Sequence, residues 1–402
     1  MVPWELFSVG RIGLLLLLGV TLAGCSESVE TQTESSTVAT PSTTSPTSTT
    51  TNSTTTNSTT TNSTTTDTAV EDDTEFLRSQ LLRLGEPESG AILLAILDAD
   101  ERSSHVTAGT NSIGETLSLD DPFRIGSVTK MFTATLVLTL VDEGLIGLDD
   151  HVSDYVPSLT ASPGVTVRHL LSHRSGIYDY TSYAIFGDQE EGLSKAWTPE
   201  ELYGIASGRP QHFPPGDRFE YSNTNYLMLG ILVESVTSMS YAEALRQRVI
   251  EPLSLSNTYQ ARHEQGEPAT EAFSGIRQEP GSVALADFDY TSIETAAWAS
   301  GDLVSTVTDL DKFLRGLAQG ALIPDDLLRE MRPGDDPYGL GIENLAGAAD
   351  VIGHRGGIPG YNTVVIHNTT ASRTAVVFTT NDTVGLATVT QPIVERLASN
   401  TP

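Results

Sequence analysis

The sequence predicts an α/β (α+β) fold: an antiparallel sheet built from both chain ends, flanked by helices and carrying an inserted, mostly helical region. Three observations point there. A β-compatible apolar run, Gly90 to Leu97, opens the globular part and ends in Asp98-Ala99-Asp100. The last third returns to β-branched segments between Gly and Asn turns, at Tyr338–Glu343, Thr363–His367 and Thr374–Thr380. Between these ends lies Met131 to Val141, apolar on every face, the pattern of a buried helix.

In chain order, Glu75 to Leu84 reads as an amphipathic helix, followed by the Gly90 strand and a second strand through His105 to Gly109. Further helices are expected at Arg168–Ser172, Asn223–Ser238, Tyr241–Ile250 and Asp309–Leu317, and a last one at Ala387–Ala398. Strands at both ends with helices between them make a single layered unit, assigned to residues 71–402.

The segment before it is built differently. Ile12 to Ala23 is a leucine-rich run of about a dozen residues, short of the roughly 20 that span a bilayer. It ends in Leu22-Ala23-Gly24-Cys25, the pattern of a lipoprotein export signal over residues 1–24, with lipid expected on Cys25. Residues 25–70 are dominated by Ser, Thr, Asn and Pro, with Asn-Ser-Thr-Thr-Thr recurring at Asn52, Asn57 and Asn62. Such a composition cannot offset ordering entropy, so a solvated linker is expected. The chain would then be exported and lipid-anchored at the outer face of the cell membrane.

Composition narrows the chemistry. The 402 residues carry 22 Lys plus Arg against 52 Asp plus Glu, a formal charge of −30 that repels phosphate backbones and argues against a nucleic-acid partner. One cysteine excludes an intrachain disulfide, a cysteine-based zinc site and a CxxC redox motif. There is no Gly-x-Ser-x-Gly elbow, and His263-Glu264 lacks the second His of a zinc-protease helix, so no metal or other cofactor is expected. The acidic clusters Glu71-Asp72-Asp73 and Asp149-Asp150 read as solvated, and His169 and His173 as structural.

Three elements can carry chemistry. Ser127-Val128-Thr129-Lys130 opens the buried helix; residues three apart share a face, so the Ser hydroxyl and Lys amine can meet. A lysine inside an apolar helix, in a chain with only Lys130, Lys195 and Lys312, would be desolvated toward neutrality. Tyr221-Ser222-Asn223 opens another helix and offers a phenol for proton relay and an amide for a substrate carbonyl. His354-Arg355-Gly356-Gly357 sits between strand-like segments, where glycines would let a ligand backbone lie against the edge with a main-chain N–H facing the reacting carbonyl.

In this order and spacing the three elements resemble the serine β-lactamase and penicillin-binding protein family, particularly its class C β-lactamase and D-alanyl-D-alanine carboxypeptidase branch, over about Glu75 to Ala398. Supporting phrases are Val165–His173, Ala299–Thr306 and Tyr338-Gly339-Leu340-Gly341. The resemblance implies a β-lactamase/transpeptidase-like fold with Ser127 acylated, Lys130 taking its proton and Tyr221 as the second acid/base. Asn223, His354 and Gly356 would bind substrate, and the N–H groups of Ser127 and Gly357 would form the oxyanion hole. Arg355 is the departure, standing where a small hydroxyl residue would help bind a substrate carboxylate. An imidazole at 354 would change charge between about pH 5 and 8. The implied activity is a cell-surface serine hydrolase removing the terminal D-alanine of peptidoglycan stem peptides, with an esterase, a β-lactamase or a non-catalytic sensor as alternatives. The partners are a small-molecule or peptide substrate and, through Cys25, the membrane.

Overall fold

The computed structural model describes residues 65–399 except 86, 88, 101, 112–113, 160–162, 185–193, 262–272, 275–282, 285–290 and 346. The export signal, Cys25 and nearly all of the expected linker lie outside the described residues.

The chain enters through α1 (Thr65–Leu84), then β1 (Ala91–Leu97), β2 (Ser103–Gly109) and the short β3 (Phe123–Arg124). A 3-10 turn, Gly126–Val128, leads into α2 (Thr129–Asp142). The helical region continues through α3 (Val152–Tyr155), α4 (Val167–Leu171), α5 (Thr181–Ala184), α6 (Pro199–Ser207), α7 (Asn223–Thr237) and α8 (Tyr241–Leu245), which runs on as a π-helical turn to Ile250. Small strands β4 (Tyr259–Gln260), β5 (Phe273–Ser274) and β6 (Val283–Ala284) precede α9 (Thr291–Gly301) and β7 (Leu303–Ser305). Then come α10 (Val307–Ala318), α11 (Asp325–Met331), β8 (Val351–Ile358), β9 (Tyr361–Asn368), β10 (Arg373–Thr379) and α12 (Ala387–Ser399).

The main sheet has the order β2-β1-β10-β9-β8, antiparallel throughout, so both chain ends do build it. The junction is β1 on β10, with Ile92 opposite Thr379 and Leu97 opposite Thr374. β1 reads as an unbroken apolar run because both its faces are covered. Leu93 and Ala95 join the core made with α2, α7, α9 and α10, while Ile92, Leu94 and Ile96 face the cluster formed with α1 and α12.

Several expectations are corrected. Tyr338–Glu343 is not a strand but a tight turn closed by one bridge between its end residues, because Gly341 adopts φ +85°. The His354-Arg355-Gly356-Gly357 segment lies within β8, at the sheet edge, rather than between strands. Helix α1 begins at Thr65, inside the segment assigned to the linker and ten residues before Glu75. Asp73, expected to be solvated, is 1% exposed and bridges Arg373 of β10 and Arg396 of α12, which ties α1 to the sheet. Burial without those guanidinium partners would be costly for a carboxylate.

Candidate active site

Helix α2 runs through the core, with every residue from Thr129 to Leu140 buried. Thr133 and Thr135 stay inside because their hydroxyls donate hydrogen bonds to main-chain carbonyls one turn back, those of Thr129 and Met131. Lys130 is the cation in this setting and is 0% exposed. Burial, opposed by the Asp179 carboxylate, brings its amine from 10.5 down to about 7.

The Nζ of Lys130 lies 3.0 Å from Ser127 Oγ, 2.8 Å from Asn223 Oδ1 and 2.7 Å from the Ser300 carbonyl in the last turn of α9. Two of these oxygens can only accept. When the amine is neutral, its two N–H groups stay on Asn223 and Ser300, and its lone pair is left toward the Ser127 hydroxyl. Ser127 itself is half-buried and within reach of solvent.

Tyr221 sits one residue before the N-cap of α7, with its ring 5.0 Å from Lys130 Nζ and its phenol hydrogen-bonded to Ser127. Burial pushes that phenol well above 10, against the effect of the Ser127 bond, so it is protonated at neutral pH. The His173 ring supports it at 4.2 Å between centroids. His173 also accepts from the Ser222 N–H at Nδ1, while its carbonyl takes the Glu220 N–H, so both neighbours of Tyr221 are pinned.

Main chains meet at the mouth of the site. A Cβ on Gly126, at φ +52°, would stand 2.9 Å from the Gly357 nitrogen, and one on Gly356 would fall 2.0 Å from the Ile125 carbonyl oxygen. Only glycines let β8 lie this close to the turn carrying Ser127. Gly356 therefore packs inward, and Gly357 is the exposed residue of the pair.

The structure brings Ser127, Lys130, Tyr221 and Asn223 together and gives some of the other expected residues different surroundings. His354 is 2% exposed, with Tyr338 Oη 2.8 Å from Nε2 and the Arg355 carbonyl bonded at Nδ1. Because that carbonyl only accepts, Nδ1 carries the proton and Tyr338 donates to Nε2. Burial, opposed by Glu343, brings this imidazole to about 4, so the expected charge change between pH 5 and 8 is corrected to a neutral side chain over that range. Arg355 is held by Glu343, with Nε 2.9 Å from Oε1 and its own N–H 3.1 Å from Oε2. Burial would raise Glu343, but its hydrogen bonds with the Arg355 guanidinium hold it below the usual range, so it remains a carboxylate.

Asp179 is the residue sequence reasoning missed. Its Oδ2 lies 3.0 Å from Asn223 Nδ2, and its Oδ1 takes the Thr181 N–H at 3.0 Å and hydroxyl at 2.7 Å. The partners are 44 residues apart, a separation that leaves no periodic signal.

Residues 90–397 match the family described as Beta-lactamase. The chain belongs to the beta-lactamase family. That family is one of serine hydrolases of the β-lactamase and penicillin-binding-protein type. Similar curated members include penicillin-binding protein 4* of Bacillus subtilis, 25% identical over 62% of this chain and 58% of its own length. Penicillin-binding protein 4 of Amycolatopsis lactamdurans is 34% identical over 44% of this chain and 46% of its own length. The chain thus spans about half the length of these relatives. Among solved structures, a D-stereospecific amidohydrolase from Streptomyces sp. superposes with a TM-score of 0.65 at 31% identity, covering 79% of this chain and 95% of that one. The D-amino acid amidase of Ochrobactrum anthropi, with a TM-score of 0.70 at 24% identity over 84% of this chain and 99% of its own, shares this beta-lactamase family fold.

Proposed function

We propose that this chain hydrolyses amide and ester bonds through an acyl-enzyme on Ser127, with a preference for substrates that lack a free carboxylate on the leaving side. The observation that carries the chemistry is the Lys130 amine, whose two obligate acceptors leave its lone pair for Ser127.

In acylation, Ser127 Oγ gives its proton to Lys130 Nζ and bonds to the substrate carbonyl carbon. The oxygen that gains charge is held by the N–H groups of Ser127 and Gly357. Tyr221, a phenol at rest, donates its proton to the leaving nitrogen or oxygen as the carbonyl bond to it breaks, and the Lys130 ammonium restores the phenol. A water then gives a proton to the amine, its oxygen bonds to the acyl carbon, and Ser127 leaves with its proton regained. The net reaction is hydrolysis, and the chain ends as it began.

Substrate class follows from charge. Removing a terminal D-alanine requires a group for its carboxylate, and the two residues expected to supply one are compensated: His354 is neutral and Arg355 is bound to Glu343. This favours a D-amino acid amide or a short peptide amide over the carboxypeptidase reading, and the 31% identity to a D-stereospecific amidohydrolase supports it. A non-catalytic sensor would not need the amine poised on Ser127.

The test is a panel on the purified chain: a D-amino acid amide, a neutral ester, a D-alanyl-D-alanine peptide and a penicillin. Higher kcat/KM on the amide than on the carboxylate-ended peptide supports the reading; the reverse order returns it to a carboxypeptidase. Export and lipid attachment at Cys25 are part of the proposal, tested by the N-terminal mass of membrane-extracted protein. Membrane retention unchanged in Cys25→Ala would remove them.

A further inference from the structure

We propose that Asp179 is a positioning residue that sets the direction of the proton relay by fixing the amide of Asn223. The inference rests on the acyl-enzyme reading above and concerns how its base is kept ready.

An amide side chain can face either way, and its two ends are chemically opposite. Asp179 Oδ2, an acceptor only, stands 3.0 Å from Asn223 Nδ2, and the Thr181 hydroxyl lies 3.3 Å from the same nitrogen. Asn223 must therefore present its oxygen to Lys130, at 2.8 Å. Were the amide reversed, its N–H groups would meet the lysine, the amine would turn its lone pair to Asn223, and Ser127 would lose its proton acceptor. Asp179 is in turn held by the Thr181 N–H and hydroxyl at its other oxygen, so its own rotamer is fixed.

The same loop braces the rest of the segment. Ser175 Oγ bonds Asn225 Oδ1 at 2.5 Å, Thr224 Oγ1 donates to the Tyr178 carbonyl at 2.6 Å, and the Tyr180 N–H reaches Thr224 Oγ1 at 3.2 Å. Asp179 is the charged member of this brace. The groups facing Lys130 are Ser127 from the 3-10 turn, Asn223 and the Tyr226 ring from α7, the Tyr221 ring before it, and the Ser300 carbonyl of α9. His173 and His354 couple to it electrostatically and are both held toward the neutral form, by burial first. Among the described residues, Asp179 is the carboxylate that acts on Lys130, and it stabilises the ammonium.

The experiment compares pH–rate profiles of wild type, Asp179→Asn, Asn223→Ala and the double variant on an uncharged ester. Asp179→Asn is isosteric at a half-buried position, and a thermal melt checks its fold. Loss of the charge should move the acid limb of kcat/KM to lower pH by about one unit, since an opposite charge nearby favours the protonated amine. Loss of the fixed amide should lower the plateau kcat about ten- to a hundredfold, with KM within about twofold, as misplacement of catalytic groups does. In the Asn223→Ala background, Asp179→Asn should cost no further plateau rate. An unshifted limb with a wild-type plateau, a loss confined to KM, or fully additive losses would overturn the proposal. Covalent labelling of Ser127 in the wild type reads the acyl-enzyme separately, so the two failures are told apart.

Discussion

Lys130 Nζ stands 3.0 Å from Ser127 Oγ, one helical turn along, and the amine's remaining hydrogen bonds go to the Asn223 amide oxygen and the Ser300 carbonyl. The burial that makes the lysine expensive also makes it a base, since it brings the amine to about 7.

Activity should therefore rise with pH on an acid limb centred near 7, because only the neutral amine accepts the serine proton. Lys130→Arg should be inactive at every pH, as a guanidinium stays protonated. A pH–rate profile on a neutral ester measures the limb, and an acid limb near 4 would assign the base to a carboxylate or to His354.

Stability carries the same signature. The unfolded lysine titrates near 10.5 and the native one near 7, so between these values the unfolded state binds more protons and stability climbs with pH. Between pH 6 and pH 9 the climb is about 3 kcal/mol, from about 1.36 kcal/mol per unit. Lys130→Met lacks it, so its unfolding free energy relative to wild type should fall by about that amount over the interval. Urea melts of both proteins at the two pH values check this.

Glu343→Gln should release Arg355 from its carboxylate partner, which now approaches it through Nε and the main-chain N–H. Activity on a carboxylate-ended D-alanyl peptide should then rise about tenfold relative to the D-amino acid amide, the scale of one added charge contact. An unchanged ratio would show that Arg355 does not meet the leaving side of the substrate.

Gly356→Ala places a Cβ 2.0 Å from the Ile125 carbonyl oxygen, an atom of the main chain that cannot rotate aside. The strand must retreat from the Ser127 turn, at a cost of about 1–3 kcal/mol in stability and a larger proportional loss of kcat. Thermal melts and kinetics read the two together. Gly204→Ala, with open space at its Cβ, serves as the control.

How much of this was legible in the sequence varies with the range of the interaction. Ser127 and Lys130 could be read because their partnership is local, three residues apart in an apolar run of a lysine-poor chain. β1 was equally plain, since burial on both faces leaves seven apolar residues in a row. β8 was hidden by its glycines, which strands usually avoid and which here serve the close approach to Ile125. Tyr338–Glu343 misled in the opposite way, with strand-like residues bent by Gly341. The state of His354 depends on burial under Tyr338, and Asp73 depends on Arg373, 300 residues away. Such contacts leave no trace in local patterning.

Acylation at Ser127 Oγ is read by peptide mapping with mass spectrometry after reaction with a fluorophosphonate or a fluorescent penicillin. One adduct is expected, on the peptide containing Ser127, with no labelling of Ser127→Ala and slowed labelling of Lys130→Met. An adduct on another residue, or undiminished labelling of folded Ser127→Ala, would contradict it.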